Sequence, residues 1–154
     1  MHPTAAKVQQ RLRERGLEVS VTVLPDSTRT AVDAAAAVGC QLGQIVKSLV
    51  FFAREEPVIV LCAGDRRVAA TDLGLRAAKA HEVRAATGFA IGGVPPLAHD
   101  RDLRTIVDRS LRRFETVWCA AGTPHAVFEA PTSMLIDALG QCDEVDVADP
   151  SYAS

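Results

Sequence analysis

Gln44-Ile45-Val46-Lys47-Ser48-Leu49-Val50-Phe51-Phe52 is rich in β-branched and aromatic residues. It is entered from Gly43 and left through Arg54-Glu55-Glu56-Pro57, which predicts a strand. Alternation puts Ile45, Lys47, Leu49 and Phe51 on one face and Val46, Ser48, Val50 and Phe52 on the other. Both faces are largely apolar, so the strand is expected to be central and covered on both sides. Lys47 then sits among groups that would bury it, where an ammonium is costly unless partnered. That lysine needs a reason.

The chain around this strand has 154 residues, 48% hydrophobic and 23% charged, with a formal net charge of −2. These totals predict one globular domain over residues 1–154 with a sizeable core. The small negative charge argues against a protein that coats DNA or RNA, although a local basic patch can still serve one nucleic-acid end. No apolar run approaches the ~20 residues of a membrane span, and Met1-His2-Pro3-Thr4 opens no signal-peptide core. A cytoplasmic location is expected. Cys40, Cys62, Cys119 and Cys142 are scattered without a Cys-x-x-Cys pair or a close histidine, so no zinc site is expected.

Thr4 to Arg15 is predicted helical, with Thr4 as N-cap and Gly16 as stop. Leu17 to Leu24 alternates like a half-exposed strand and ends at Pro25-Asp26. Thr30 and Asp33 stand in capping-box spacing ahead of a helix that Gly39 stops after Val38. Val58 to Cys62 is a second apolar strand, and Ala63-Gly64-Asp65-Arg66 is predicted to turn it back into Arg67-Val68-Ala69 as a hairpin. A helix from Thr71 to Lys79 and a helical piece from His81 to Thr87, stopped by Gly88, are expected next. Ile91-Gly92-Gly93-Val94-Pro95-Pro96 cannot be regular, because its backbone is permissive at the glycines and pinned at the prolines. Strands at 105–107, 116–120, 125–129 and 145–147 and a helix capped by Thr132 complete the chain, with Asp108 capping a short turn. The expected class is α/β, in its α+β form.

Several familiar catalytic patterns are missing. There is no Gly-x-Ser-x-Gly elbow, no phosphate loop and no Gly-x-Gly-x-x-Gly after a strand, and His81-Glu82 lacks the second histidine of a zinc protease. Lys47 can snorkel or meet a core carboxylate, or it can face a pocket and grip a polar or anionic ligand. The glycine–proline loop can be a plain connection, or a cradle whose backbone N–H groups reach a ligand. Asp108 can be only a cap, and His125 only a turn residue. Arg101, Arg104, Arg109, Arg112 and Arg113 can be a solvated face or a phosphate contact.

Taken in order, Thr30-Ala31-Val32-Asp33-Ala34-Ala35, Gln44 to Phe51, Thr87-Gly88, Ile91 to Pro96, Val107-Asp108 and Ala121-Gly122-Thr123-Pro124-His125 resemble the YbaK/EbsC family. That family is similar to the editing domain of bacterial prolyl-tRNA synthetase, and the resemblance runs from about Thr4 to Val147. It implies a mixed, barrel-like sheet flanked by helices and a trans-editing enzyme that hydrolyses mischarged aminoacyl-tRNA, of the Cys-tRNA(Pro) or Ala-tRNA(Pro) type, without a cofactor. The acceptor end of an aminoacyl-tRNA is the implied partner, and a synthetase a further one, with no membrane and no DNA. Lys47, Gly92 and Gly93 are the implied catalytic positions. Thr30, Val94, Pro95, Pro96, Asp108, Gly122 and His125 are the implied substrate-binding positions.

Such chemistry needs no triad. An aminoacyl ester is already activated, so the protein mainly orients it and stabilises the developing oxyanion. Two other readings stay open on the residues alone: a module that binds a nucleotide or aminoacyl-tRNA end without hydrolysis, and a Schiff-base enzyme built on a desolvated lysine.

Overall fold

The computed structural model of the chain describes residues 1–25, 28 and 30–148. Helix α1 spans Pro3–Glu14 and buries Ala5, Val8 and Leu12 completely, the i, i+3, i+7 stripe of an amphipathic helix. Its N-cap is His2, whose Nδ1 accepts from the Thr4 N–H at 3.0 Å, so Thr4 lies inside the helix it was expected to cap. Helix α2 (Ala31–Val38) begins as predicted, with Thr30 Oγ1 accepting from the Asp33 N–H at 3.1 Å. The predicted strand at Leu17–Leu24 shortens to β1 (Val21–Val23).

The long strands β2 (Val46–Ala53) and β3 (Glu56–Ala63) pair antiparallel along their whole length. With β4 (Arg76–Ala77), β5 (Arg104–Asp108) and β8 (Asp143–Val145) they form a five-stranded mixed sheet in the order β4-β2-β3-β5-β8. β5 lies parallel to both β3 and β8. A second sheet, antiparallel throughout, has the order β1-β7-β6, where β6 is Thr116–Ala120 and β7 is Ala126–Pro131. Helices α3 (Ala80–Thr87) and α4 (Thr132–Leu139) complete the α+β fold.

The two faces of β2 part as alternation demands. Val46 and Val50 join the main core with α1, Val83 and Val94, whereas Phe51 and Leu49 pack with Val58, Val60 and Cys62 in a second cluster.

The expected barrel-like closure does not occur. Among the described residues the two sheets are joined by one parallel bridge, Ile45 to Trp118, and otherwise share no ladder. One edge of β2 is filled by β3, and the other is taken at its far end by β4, opposite Phe51 and Phe52. Between the bridge and β4 the edge has no partner strand among the described residues, so the ring does not close. The predicted helix from Thr71 is also absent, replaced by turns and β4. Gly74 sits mid-segment at φ +70, outside the right-handed helical region, and Leu75 is pulled into the second core cluster. The segment after Arg66 forms no hairpin with β3. The turn is present, with the Arg66 N–H on the Ala63 carbonyl at 2.9 Å, but Val68 then bridges to Ala148. Thr132 opens α4 without capping it: its hydroxyl donates to the Phe114 carbonyl at 2.6 Å.

Candidate active site

The unclosed edge of β2 opens onto a cavity of about 510 Å³. Every residue from Ile45 to Phe51 lines it, which a strand achieves only by presenting its edge. The opposite walls come from Gly92 and Val94 of the glycine–proline loop, Trp118 of β6, and Val32 of α2 with its N-cap Thr30. The lining is mainly apolar with a few polar groups, the usual composition of a small-molecule pocket. Backbone parity adds to those polar groups. The Val50 carbonyl points along this edge, where it accepts from the Ala78 N–H at 3.1 Å, so the Ser48 amide two residues earlier points the same way. The Ser48 hydroxyl is buried and has no hydrogen-bond partner among the described residues.

Lys47 has found a neutral partner. Its Nζ donates to the Arg66 carbonyl at 2.5 Å, in the turn that follows β3. That turn is held from two sides. Arg113 grips Asp65 with two bonds of 2.7 and 2.9 Å, and the guanidinium keeps the Asp65 carboxyl below its usual range. Asp108, fully buried, accepts from the Ala63 N–H and from the Ser110 N–H, both at 2.9 Å. The turn thus fixes where the ammonium sits, and among the described residues no carboxylate forms an ion pair with it. The neighbouring Cys62 thiol is pushed up to about 12 by burial, which makes it an inert core group.

The glycine–proline loop is buried from Gly93 onward and closely backed. The Gly93 N–H donates to the Ala90 carbonyl at 3.0 Å, and the Gly122 N–H donates to the Gly93 carbonyl at 2.8 Å. A Cβ on Gly93 would meet the Gly122 carbonyl oxygen at 2.8 Å, so this contact requires glycine. Gly93 therefore spends its amide inside the protein. Among the described residues the Gly92 and Val94 N–H groups make no intramolecular bond, and both residues line the cavity. The loop can offer donors, at Gly92 and Val94.

Of the positions singled out in the sequence, Thr30, Lys47, Gly92 and Val94 meet at the cavity. Gly93, Pro95 and Pro96 lie in the loop behind its wall, and Gly122 and the exposed His125 belong to the turn that backs the loop. Asp108 sits apart, under the Lys47 turn. Sequence reasoning passed over Ser48, Trp118 and Val32, because alternation and helical spacing assign them no role beyond packing. It also passed over His99, which is buried with Nε2 2.7 Å from the Pro95 carbonyl. The arginine cluster is largely spent: Arg112 pairs with Glu144 at 2.9 Å, Arg104 with Asp143 at 3.7 Å, and Arg113 with Asp65. Among the described residues no group of three or more His, Cys, Asp or Glu could hold a metal, and no helix is long and apolar enough to cross a membrane.

Residues 25–138 match the model of the aminoacyl-tRNA editing domain. The chain is 34% identical over 119 residues to the uncharacterized protein YwhH of Bacillus subtilis, covering 73% of this chain and 76% of that protein. Among solved structures it is similar to a chain used as a scaffold for grafted linear epitopes, at 38% identity and a TM-score of 0.91, covering 97% of this chain and 99% of the other. It is also similar to a candidate trans-editing enzyme for prolyl tRNA synthetase, at 43% identity and a TM-score of 0.88 over the same shares of the two chains.

Proposed function

Because the chain belongs to the aminoacyl-tRNA editing domain family, a group of trans-editing deacylases, we propose that its cavity hydrolyses the ester of a tRNA for proline mischarged with a small amino acid, cysteine or alanine. The observation that carries this reading is the meeting of a cation and free backbone donors across one apolar cavity: Lys47 on the β2 edge, Gly92 and Val94 on the loop. An acceptor end places its ester between them. The Gly92 and Val94 N–H groups face the carbonyl oxygen as it becomes an oxyanion, and Lys47 positions the substrate through its charge. Water does the attacking, helped by the ribose hydroxyl beside the ester. Gly93, Pro95, Pro96 and Gly122 keep the donors in place, Thr30 and His125 stand at exposed positions where the nucleotide enters, and Asp108 holds the turn that holds Lys47.

A cavity of about 510 Å³ with apolar walls suits a small side chain together with part of the terminal nucleoside. Pocket size separates side chains weakly, by roughly 1–3 kcal/mol per methylene. The tRNA, delivered with or without a synthetase, therefore carries part of the selectivity, and the enzyme works in the cytoplasm where that substrate is found.

The test is deacylation of cysteinyl-, alanyl- and seryl-esters on tRNA for proline and on their cognate tRNAs. Wild type is expected to clear at least one mischarged species, and Lys47→Ala to lose most of that turnover. Equal rates for the two proteins remove Lys47 from the mechanism; saturable binding with every ester intact overturns the deacylase.

A further inference from the structure

The loop donors at Gly92 and Val94 are useful only if the loop cannot shift, and its downstream end is held by a side chain that lines no part of the cavity. His99 is 9% exposed, and its Nε2 lies 2.7 Å from the carbonyl oxygen of Pro95. A carbonyl can only accept, so Nε2 carries the proton and the ring is the donor. Pro95 has no N–H of its own, and its carbonyl lies one residue beyond Val94.

The segment that delivers the ring is clamped independently. Ala98 takes a left-handed conformation at φ +70, and its carbonyl accepts from Arg11 Nη1 at 3.1 Å. The same guanidinium nitrogen donates to Asp100 Oδ1 at 2.9 Å. The Asp100 N–H donates to the Thr87 carbonyl at 3.1 Å, and its carboxylate fills the space where a Cβ on Gly88 would stand. Helices α1 and α3 thus hold residues 98–100 from both sides and aim the imidazole inward, under the loop. The Thr87-Gly88 pair thereby has a physical role, because it seats Asp100.

We propose that His99 is a positioning residue for the deacylation step, holding the Pro95 carbonyl so that the Gly92 and Val94 N–H groups stay aimed into the cavity. The upstream tether, from Gly122 to the Gly93 carbonyl, fixes the other end of the same short arc. With both tethers in place the donors need no rearrangement as the oxyanion forms. Burial keeps the imidazole neutral through the physiological range by lowering its pKa, so the donor does not change form where the enzyme works.

This inference rests on the deacylase reading, and its test separates the two. His99→Leu keeps bulk and removes the donor; His99→Gln restores an N–H near the position of Nε2. In single-turnover deacylation the leucine variant is expected to lose about 10²-fold in kcat, the loss a misplacement of about 1 Å commonly causes, with KM for aminoacyl-tRNA little changed. His99→Gln is expected to recover most of that loss. Long-range ¹H–¹⁵N correlation on wild type should show the ring protonated at Nε2, whether or not the leucine variant folds. A folded His99→Leu with wild-type kcat, a glutamine variant no better than leucine, or a ring protonated at Nδ1 each overturns the proposal. A wild type inactive on every ester overturns instead the deacylase reading on which it stands.

Discussion

Lys47 shows how a costly charge is accommodated at the scale of one residue. Its ammonium meets the Arg66 carbonyl, a partner that fixes position without cancelling charge. A carboxylate in that place would have made an internal ion pair with little left over for a ligand. Asp108 underwrites the arrangement through two backbone N–H groups in a fully buried setting. Asp108→Ala leaves both donors unpaired, so the protein is expected to lose about 3 kcal/mol by urea denaturation. An unchanged midpoint would mean that the Ala63 turn holds itself. His99 carries a pH dependence of its own. Burial first, with the charges of Arg15 and Arg11 after it, lowers its folded pKa from 6.5, against the Pro95 hydrogen bond and Asp100. The unfolded chain then takes up a proton that the folded chain refuses. The stability this group contributes is complete above pH 6.5 and is lost as the pH falls through the lower folded pKa. Stability curves of wild type and His99→Gln should therefore converge or cross as the pH is lowered below 6.5, and parallel curves would contradict the assignment.

At the scale of elements, local chemistry and tertiary demand disagree in instructive places. The capped start of α2, the Gly88 stop of α3 and the irregular 91–96 loop were all legible, because each depends on residues within one turn of one another. The segment from Thr71 was not. Its helical pattern is overruled by Gly74 at φ +70 and by an edge of β2 that needs a partner. The glycine–proline loop carries the sharpest prediction at this scale. Gly93→Ala would drive a methyl to 2.8 Å from the Gly122 carbonyl, a backbone atom with little room to yield. The loop must then move away from the turn behind it. Deacylation is expected to fall at least about tenfold, scaled from an oxyanion donor's worth of roughly 3 kcal/mol, while the far-ultraviolet circular dichroism stays as in wild type. Full activity in this variant would mean that the arc tolerates displacement.

On the scale of the whole molecule, the site exists because two sheets fail to merge. Among the described residues a single bridge, Ile45 to Trp118, joins them, and the cavity fills the gap beyond it. Trp118 is the sole tryptophan of the chain and stands on the cavity wall. Its fluorescence is therefore expected to change on titration with a non-hydrolysable aminoacyl-adenosine analogue, and to lose that response in Lys47→Ala. A flat titration with a ligand shown to bind by another method would place the ligand away from β6.

Much of the candidate site could be read before the fold was known. An unpartnered lysine in an apolar strand, and a loop too rich in glycine and proline to be regular, are local contradictions, and local contradictions are visible in sequence. Alternation alone also separated the two faces of β2 correctly. What it could not contain was the edge. Whether a strand shows a neighbour its backbone, or a cavity, depends on partners far along the chain: β4 and β6 meet β2 at opposite ends of that edge. For the same reason the barrel expected from the resemblance gave way to two sheets, and Asp108 took up work at a backbone group 45 residues away. The sequence by itself determined the elements, the anomalous lysine and the loop, because short-range sterics and burial preferences are written residue by residue. Only the tertiary structure decided which backbone groups remained free, because a hydrogen bond is spent or spared by whatever long-range packing brings beside it.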